Sequence, residues 1–142
     1  MNLIPYLTFE GNCEKALKRY QEIFDGEVVY LQRFKEGPEM GISEEFLDRV
    51  MHAQLQIGDI VLYLSDNFPG TPLSADSRIG LNLALEDPAE QKRIFEALSI
   101  NGQITMPLEE QFWGDTFGSL VDEFGIPWSL NYSNKKHVIH NV

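Results

Sequence analysis

His52 is the one histidine that falls inside a segment alternating apolar and polar residues, Met51-His52-Ala53-Gln54-Leu55-Gln56-Ile57. Histidine changes charge near neutral pH, so His52 is a candidate general base or ligand-orienting group. In a strand it can equally satisfy a neighbouring strand or helix. Tyr6 and Tyr63 offer hydroxyls to a bound ligand. Phe112, Trp113, Phe117 and Trp128 supply flat apolar area. Such rings either line an aromatic pocket or plug a sheet or dimer contact. Asp115, Asp122 and Glu123 form a candidate acid–base set, although Asp122-Glu123 precede a turn, where carboxylates are usually solvated. Cys13 stands beside a helix start, a place that can lower a thiol pKa, but no partner base accompanies it. His137 and His140 share a polar tail with Lys135 and Lys136 and have no third donor for a metal. The candidate ligand-binding set is therefore Tyr6, His52, Tyr63, Trp113, Phe117 and Trp128, with His52 the candidate catalytic group.

These residues must be held by regular elements, and the elements repeat. Residues 3–9 have strand character, and Asn12 is placed to cap a helix whose one face carries Ala16, Leu17, Tyr20, Ile23 and Phe24. Asp25-Gly26 ends it, the glycine suiting a left-handed C-cap. Strands follow at 27–34, 51–57 and 60–64, the last two joined by a tight turn at Gly58-Asp59. Residues 79–85 then start a second round. Asp87-Pro88-Ala89-Glu90 is a strong helix start with an apolar stripe of Ile94, Phe95 and Leu98, and Asn101-Gly102 ends it. Strands are expected at 103–106, 117–121 and 126–132, with Phe124-Gly125 at the second hairpin. The caps Asn12 and Asp87 stand 75 residues apart, the stops Gly26 and Gly102 stand 76 apart, and the hairpin glycines Gly58 and Gly125 stand 67 apart. A longer connection at residues 35–50 accounts for the drift, and Ser43-Glu44-Glu45-Phe46-Leu47 within it suits a short capped helix.

The expected class is α+β: two βαβββ repeats forming curved mixed sheets around a cavity, with the helices on the outer face. One domain over 1–142 would comprise a first half at about 1–66, a linker at about 67–78, a second half at about 79–132 and a tail at 133–142. Composition agrees, with 43% hydrophobic and 23% charged residues, as in ordinary globular domains. The formal charge of −11 and the scattered lysines and arginines disfavour nucleic acid and anionic membranes. No apolar run is long enough to span a bilayer, and the start lacks the basic and apolar regions of a signal peptide. A single cysteine excludes an internal disulfide and suits a cytoplasmic protein.

Pro5-Tyr6-Leu7-Thr8-Phe9, Met51-His52-Ala53, Leu64-Ser65-Asp66 and above all Phe112-Trp113-Gly114-Asp115, running through Phe117-Gly118 to Asp122, Phe124-Gly125 and Trp128, carry a family resemblance. Nearly the whole chain resembles the glyoxalase/bleomycin-resistance/dioxygenase (vicinal oxygen chelate) superfamily, specifically its PhnB-like, 3-demethylubiquinone methyltransferase-like branch. In metal-dependent members, the resemblance implies ligands on the first and last strand of each repeat. The matching positions hold Pro5, Leu81, Leu62 (or Tyr63) and Ser129, and a one-residue shift brings in Tyr6, Asn82 and Leu130. None is a good metal ligand, so no metal or other cofactor is expected. A methyl donor usually rests on a glycine-rich strand–helix turn in a doubly wound sheet, and no such turn occurs. The resemblance thus implies a homodimer that binds a small apolar or aromatic molecule without a metal. Two alternatives stay open: acid–base catalysis by His52, Tyr63 or an aspartate, and an assembly module with a filled cavity.

Overall fold

The computed structural model describes residues 2–73, 79–112 and 114–133. It divides into two compact units, Met1–Ala75 and Asp76–Val142. Each builds one mixed four-stranded sheet with one helix on it, so the two βαβββ repeats are a structural fact.

In the first unit β1 (Tyr6–Phe9) leads into helix α1 (Cys13–Phe24), followed by β2 (Glu27–Arg33), β3 (Val50–Ile57) and β4 (Ile60–Asp66). The sheet order is β1-β4-β3-β2, with β1 parallel to β4 and the other pairs antiparallel. Helix α1 buries Cys13, Ala16, Leu17, Tyr20 and Ile23 along one stripe. A 12-residue helix is marginal alone, so this packing is what stabilises it. Opposite the stripe lie Leu7 and Phe9 of β1, Ala53 and Leu55 of β3, and Leu62 and Leu64 of β4, all buried. Strand alternation then turns Tyr6, His52, Gln54 and Tyr63 to the other face.

The second unit repeats the order with β5 (Leu81–Leu85), α2 (Pro88–Ser99), β6 (Gln103–Glu110), β7 (Thr116–Val121) and β8 (Pro127–Tyr132), in the sheet order β5-β8-β7-β6. Ile94, Phe95 and Leu98 of α2 and Leu120, Trp128 and Leu130 of the sheet form its core. Gly118 lies within β7, and a Cβ there would meet the Phe95 ring at 2.7 Å. β6 runs beyond the expected Met106 to Glu110, with Pro107 inside the second of two irregularities in its pairing with β7. It is an edge strand, where a missing N–H is tolerated. No helix among the described residues is long and apolar enough to cross a membrane.

Three local expectations change. Asp87 caps α2 as its sequence indicates, its carboxylate accepting from Ala89 N at 3.0 Å. Asn12 makes no such side-chain bond. The buried carboxylate of Asp66 does that work, with Oδ1 accepting from Gly11 N at 2.7 Å and Cys13 N at 3.0 Å and Oδ2 from Val50 N at 2.9 Å. At both helix ends the left-handed residue is the polar one, Asp25 (φ 51°) and Asn101 (φ 59°). The glycine after it is needed for closeness instead: a Cβ on Gly102 would overlap Val121 O. The long connection opens on a 3-10 turn at Phe34–Glu36, and of the expected Ser43–Leu47 helix Glu44–Phe46 forms a second one, which Ser43 does not cap through its side chain.

Candidate functional site

The helix-free face of the first sheet gathers four rings. His52 lies at the centre, with ring centroids 4.8 Å from Tyr63, 5.6 Å from Tyr6 and 5.8 Å from Tyr30. Tyr6 meets Tyr63 edge-on at 5.7 Å. The register dictates this: Tyr6 is paired with Tyr63, Tyr63 with Gln54, and Gln54 with Tyr30, while His52 is two residues from Gln54 on the same strand face.

Polar atoms tie the rings together. Tyr6 Oη lies 2.9 Å from His52 Nδ1, and Gln54 Nε2 lies 3.2 Å from His52 Nε2. Tyr30 Oη donates to Gln32 Oε1 at 2.9 Å, and Gln32 Nε2 donates onward to Glu36 O. Tyr6 and Tyr30 keep 51% and 44% of their surface exposed, so the cluster is a surface a ligand can reach rather than part of the core. Phenols, an imidazole and carboxamides can stack on a ring and hydrogen-bond its substituents.

Of the expected site residues, the structure brings Tyr6, His52 and Tyr63 together. Phe117 lies half-buried on the corresponding face of the second sheet, across the β7–β8 pair from Asn131. Asn131 Nδ2 donates to Asp115 Oδ2 at 3.1 Å. Trp128 is on the helix side, buried, and its Nε1 donates to Asp122 Oδ2 at 2.9 Å. Asp122 also accepts from Phe124 N and Ile126 N through Oδ1, so it organises the hairpin instead of standing in solvent. Phe112 is 97% exposed. Trp113, His137 and His140 lie outside the described residues. Cys13 is fully buried, and burial pushes its thiol well above the ordinary value, with the charges of Asp66 and Glu14 adding to the rise. That is the opposite of an activated thiol. The sequence reading missed Tyr30, Gln32 and Gln54 as members of the cluster. Their alternation in β2 and β3 was visible, but not which face it served.

The same registers show which residues near the positions matched to metal ligands lie on the helix-free faces. The β3–β4 hairpin encloses two residues between Ile57 and Ile60, whereas Asp122 N donates to Ile126 O around a three-residue turn. The hairpin glycines are therefore not equivalent, and the closing strands align one residue away from the spacing they suggest. The positions on the helix-free faces are Tyr6 and Tyr63 in one unit and Asn82 and Ser129 in the other. Leu62 is buried on the helix side, and Leu81 pairs with the buried Trp128. Ser129 Oγ donates to Asn82 Oδ1 at 2.8 Å. Neither the two phenols of the first unit nor the carboxamide and hydroxyl of the second are good donors for a catalytic divalent ion. Among the described residues no three His, Cys, Asp or Glu side chains converge on one point.

Comparison with known proteins decides the family. The family model described as 3-demethylubiquinone-9 3-methyltransferase matches residues 1–131. The chain belongs to this family. It is 35% identical to Protein YjdN of Escherichia coli over 140 residues, covering 92% of this chain and 95% of that protein. The solved structure of protein PA1353 from Pseudomonas aeruginosa is similar at 34% identity and a TM-score of 0.86, covering 94% of this chain and 98% of that one. A PhnB protein from Bacillus cereus, titled a putative 3-demethylubiquinone-9 3-methyltransferase, is similar at 27% identity and a TM-score of 0.80, covering 94% and 100%. A glyoxylase/bleomycin resistance protein/dioxygenase domain from Frankia shares the fold at 16% identity and a TM-score of 0.70, covering 96% and 94%. The fold is therefore one shared with a PhnB protein and with a glyoxylase/bleomycin resistance protein/dioxygenase domain. The amides of Gly11 and Cys13 at the first strand–helix turn are already bonded to Asp66.

Proposed function

We propose that the protein binds a small aromatic molecule, without a metal ion, on the face formed by Tyr6, His52 and Tyr63 with Tyr30 and Gln54 beside them. The observation that carries this reading is the four-ring cluster, whose centre is an imidazole held at both nitrogens. Exposed aromatic rings in such a group lose little side-chain entropy on binding and offer both stacking area and hydrogen bonds. Tyr6 and Tyr63, at or beside the positions that the resemblance matches to metal ligands in the first repeat, are neutral side chains suited to a neutral ligand. We also propose that the protein acts as a cytoplasmic homodimer, for which the single cysteine, buried as a thiol, and the family membership are the support.

Native mass spectrometry after exposure to a metabolite extract of the source cells tests this. One retained aromatic molecule per chain is expected, unaffected by EDTA and lost in Tyr63→Ala. Retention that requires added zinc, manganese or iron would overturn the metal-free reading. The Tyr6–His52 contact also favours a second reading, acid–base catalysis on the same ligand. His52→Ala would then abolish conversion of the retained molecule. Under simple binding no conversion occurs in either protein.

A further inference from the structure

The hydrogen bonds around His52 run in one direction. Gln54 offers its amide nitrogen to His52 Nε2 at 3.2 Å, and an amide nitrogen only donates. In a neutral imidazole that makes Nε2 the acceptor and places the proton on Nδ1. Nδ1–H then donates to Tyr6 Oη, 2.9 Å away. Tyr6 Oη, accepting from the histidine, must send its own proton elsewhere, and no other bond to it occurs among the described residues. Tyr30 differs, because its proton already goes to Gln32 Oε1. Tyr6 is half exposed, so its hydroxyl proton faces whatever covers the sheet.

The charges on this face narrow the acceptor further. Its residues include Glu27, Gln32, Gln54 and Gln56, and the one lysine or arginine among the strand pairs, Arg33, pairs with the buried Val50. Arg33, at the end of β2, is held by Glu14 of α1. With a net charge of −11, the protein repels an anionic ligand, and Arg33, the one lysine or arginine in the four described strands of this sheet, is already paired with Glu14.

We propose that Gln54 is a positioning residue that holds His52 as the Nδ1–H tautomer, so that Tyr6 donates to the ligand and the site selects neutral aromatic carbonyl compounds. This rests on the Tyr6–His52–Tyr63 face being the ligand surface. Its first test does not need a ligand. In free neutral histidine the Nε2–H tautomer predominates, so the proposal reverses the ordinary preference. Long-range ¹H–¹⁵N correlation spectra well above the usual histidine titration range of about 6.5, with His52 assigned by His52→Gln, are expected to show Nδ1–H. In Gln54→Leu they are expected to revert to Nε2–H. An Nε2–H signal for His52 in the unaltered protein overturns the proposal, even if Gln54→Leu fails to fold.

The second arm titrates three probes, acetophenone, its hydrocarbon analogue α-methylstyrene and benzoate, and follows the Tyr6, Tyr63 and His52 ring signals. Acetophenone is expected to bind tighter than both others. Tyr6→Phe is expected to weaken acetophenone roughly 3- to 10-fold, the worth of one hydrogen bond, and to leave α-methylstyrene unchanged. Equal binding of ketone and hydrocarbon refutes the selectivity while leaving the aromatic-binding face intact. If none of the three probes moves these signals, the face itself is not the ligand surface, whatever the tautomer.

Discussion

Removing the Asp66 carboxylate gives the clearest prediction of stability. This side chain is only 4% exposed and serves three backbone donors: Gly11 and Cys13 at the start of α1, and Val50 at the start of β3. Asp66→Ala leaves three N–H groups in or near the core without a partner. Each unsatisfied buried donor costs about 1–3 kcal/mol, so the sum is about 3–6 kcal/mol once some water enters. Asp66→Asn keeps one acceptor oxygen but turns an NH₂ toward at least one N–H. It should cost about 2–3 kcal/mol. Domains of this kind have only about 5–15 kcal/mol to lose, so the alanine variant should approach the limit of folding. Urea unfolding followed by circular dichroism measures this, with the loss appearing in the midpoint at an unchanged slope. An Asp66→Ala variant within about 0.5 kcal/mol of the parent would show that these bonds do not hold the first helix to its sheet.

The helix ends make a paired prediction. Gly102→Ala should destabilise by at least about 2 kcal/mol, because its Cβ would overlap Val121 O, whereas Asn101→Gly, at φ 59°, should be neutral within about 1 kcal/mol. Thermal melts of the two variants distinguish them. Cys13 should resist alkylation by iodoacetamide at pH 8 in the folded protein and react only as the chain unfolds, since burial raises its thiol pKa. Mass spectrometry of labelled protein at increasing urea reads this. Glu14 is held below the ordinary carboxylate value by its hydrogen bonds from Arg33. Its contribution is therefore present above the usual carboxylate pKa and lost as pH falls through the lowered one. Because Glu14 keeps 38% of its side chain exposed, a Glu14→Gln/Arg33→Gln double-mutant cycle should give only about 0.2–1 kcal/mol at pH 7, vanishing in acid.

The repeat was legible because it is written in local signals. Asp87-Pro88 starts a helix through its own side chain, and Asp25-Gly26 and Asn101-Gly102 stop helices by backbone conformation. The Asn12 cap was not legible, because the carboxylate that does the work comes from Asp66, 53 residues beyond Cys13. The role of Asp122 was hidden for a similar reason. Its partners Phe124, Ile126 and Trp128 are close in sequence, but only the folded hairpin aims them at one carboxylate. The candidate site was half legible. Tyr6, His52 and Tyr63 stood out as residue types, yet a strand's alternation does not say which face meets the helix. That assignment needed Ala53, Leu55, Leu62 and Leu64 to be seen packed under α1. The spacing between the closing strands differs by one from the offset of the hairpin glycines because a three-residue hairpin stands where a two-residue one was assumed.

The account stands or falls on whether the Tyr6–His52–Tyr63 face receives a ligand. Titrating the metal-free protein in EDTA with a small aromatic compound, while recording aromatic ¹H–¹³C spectra, addresses this directly. The account predicts saturable shifts of the Tyr6, His52 and Tyr63 rings with one shared affinity. Shifts that spare these rings, or that appear only after a divalent metal is restored, would contradict it.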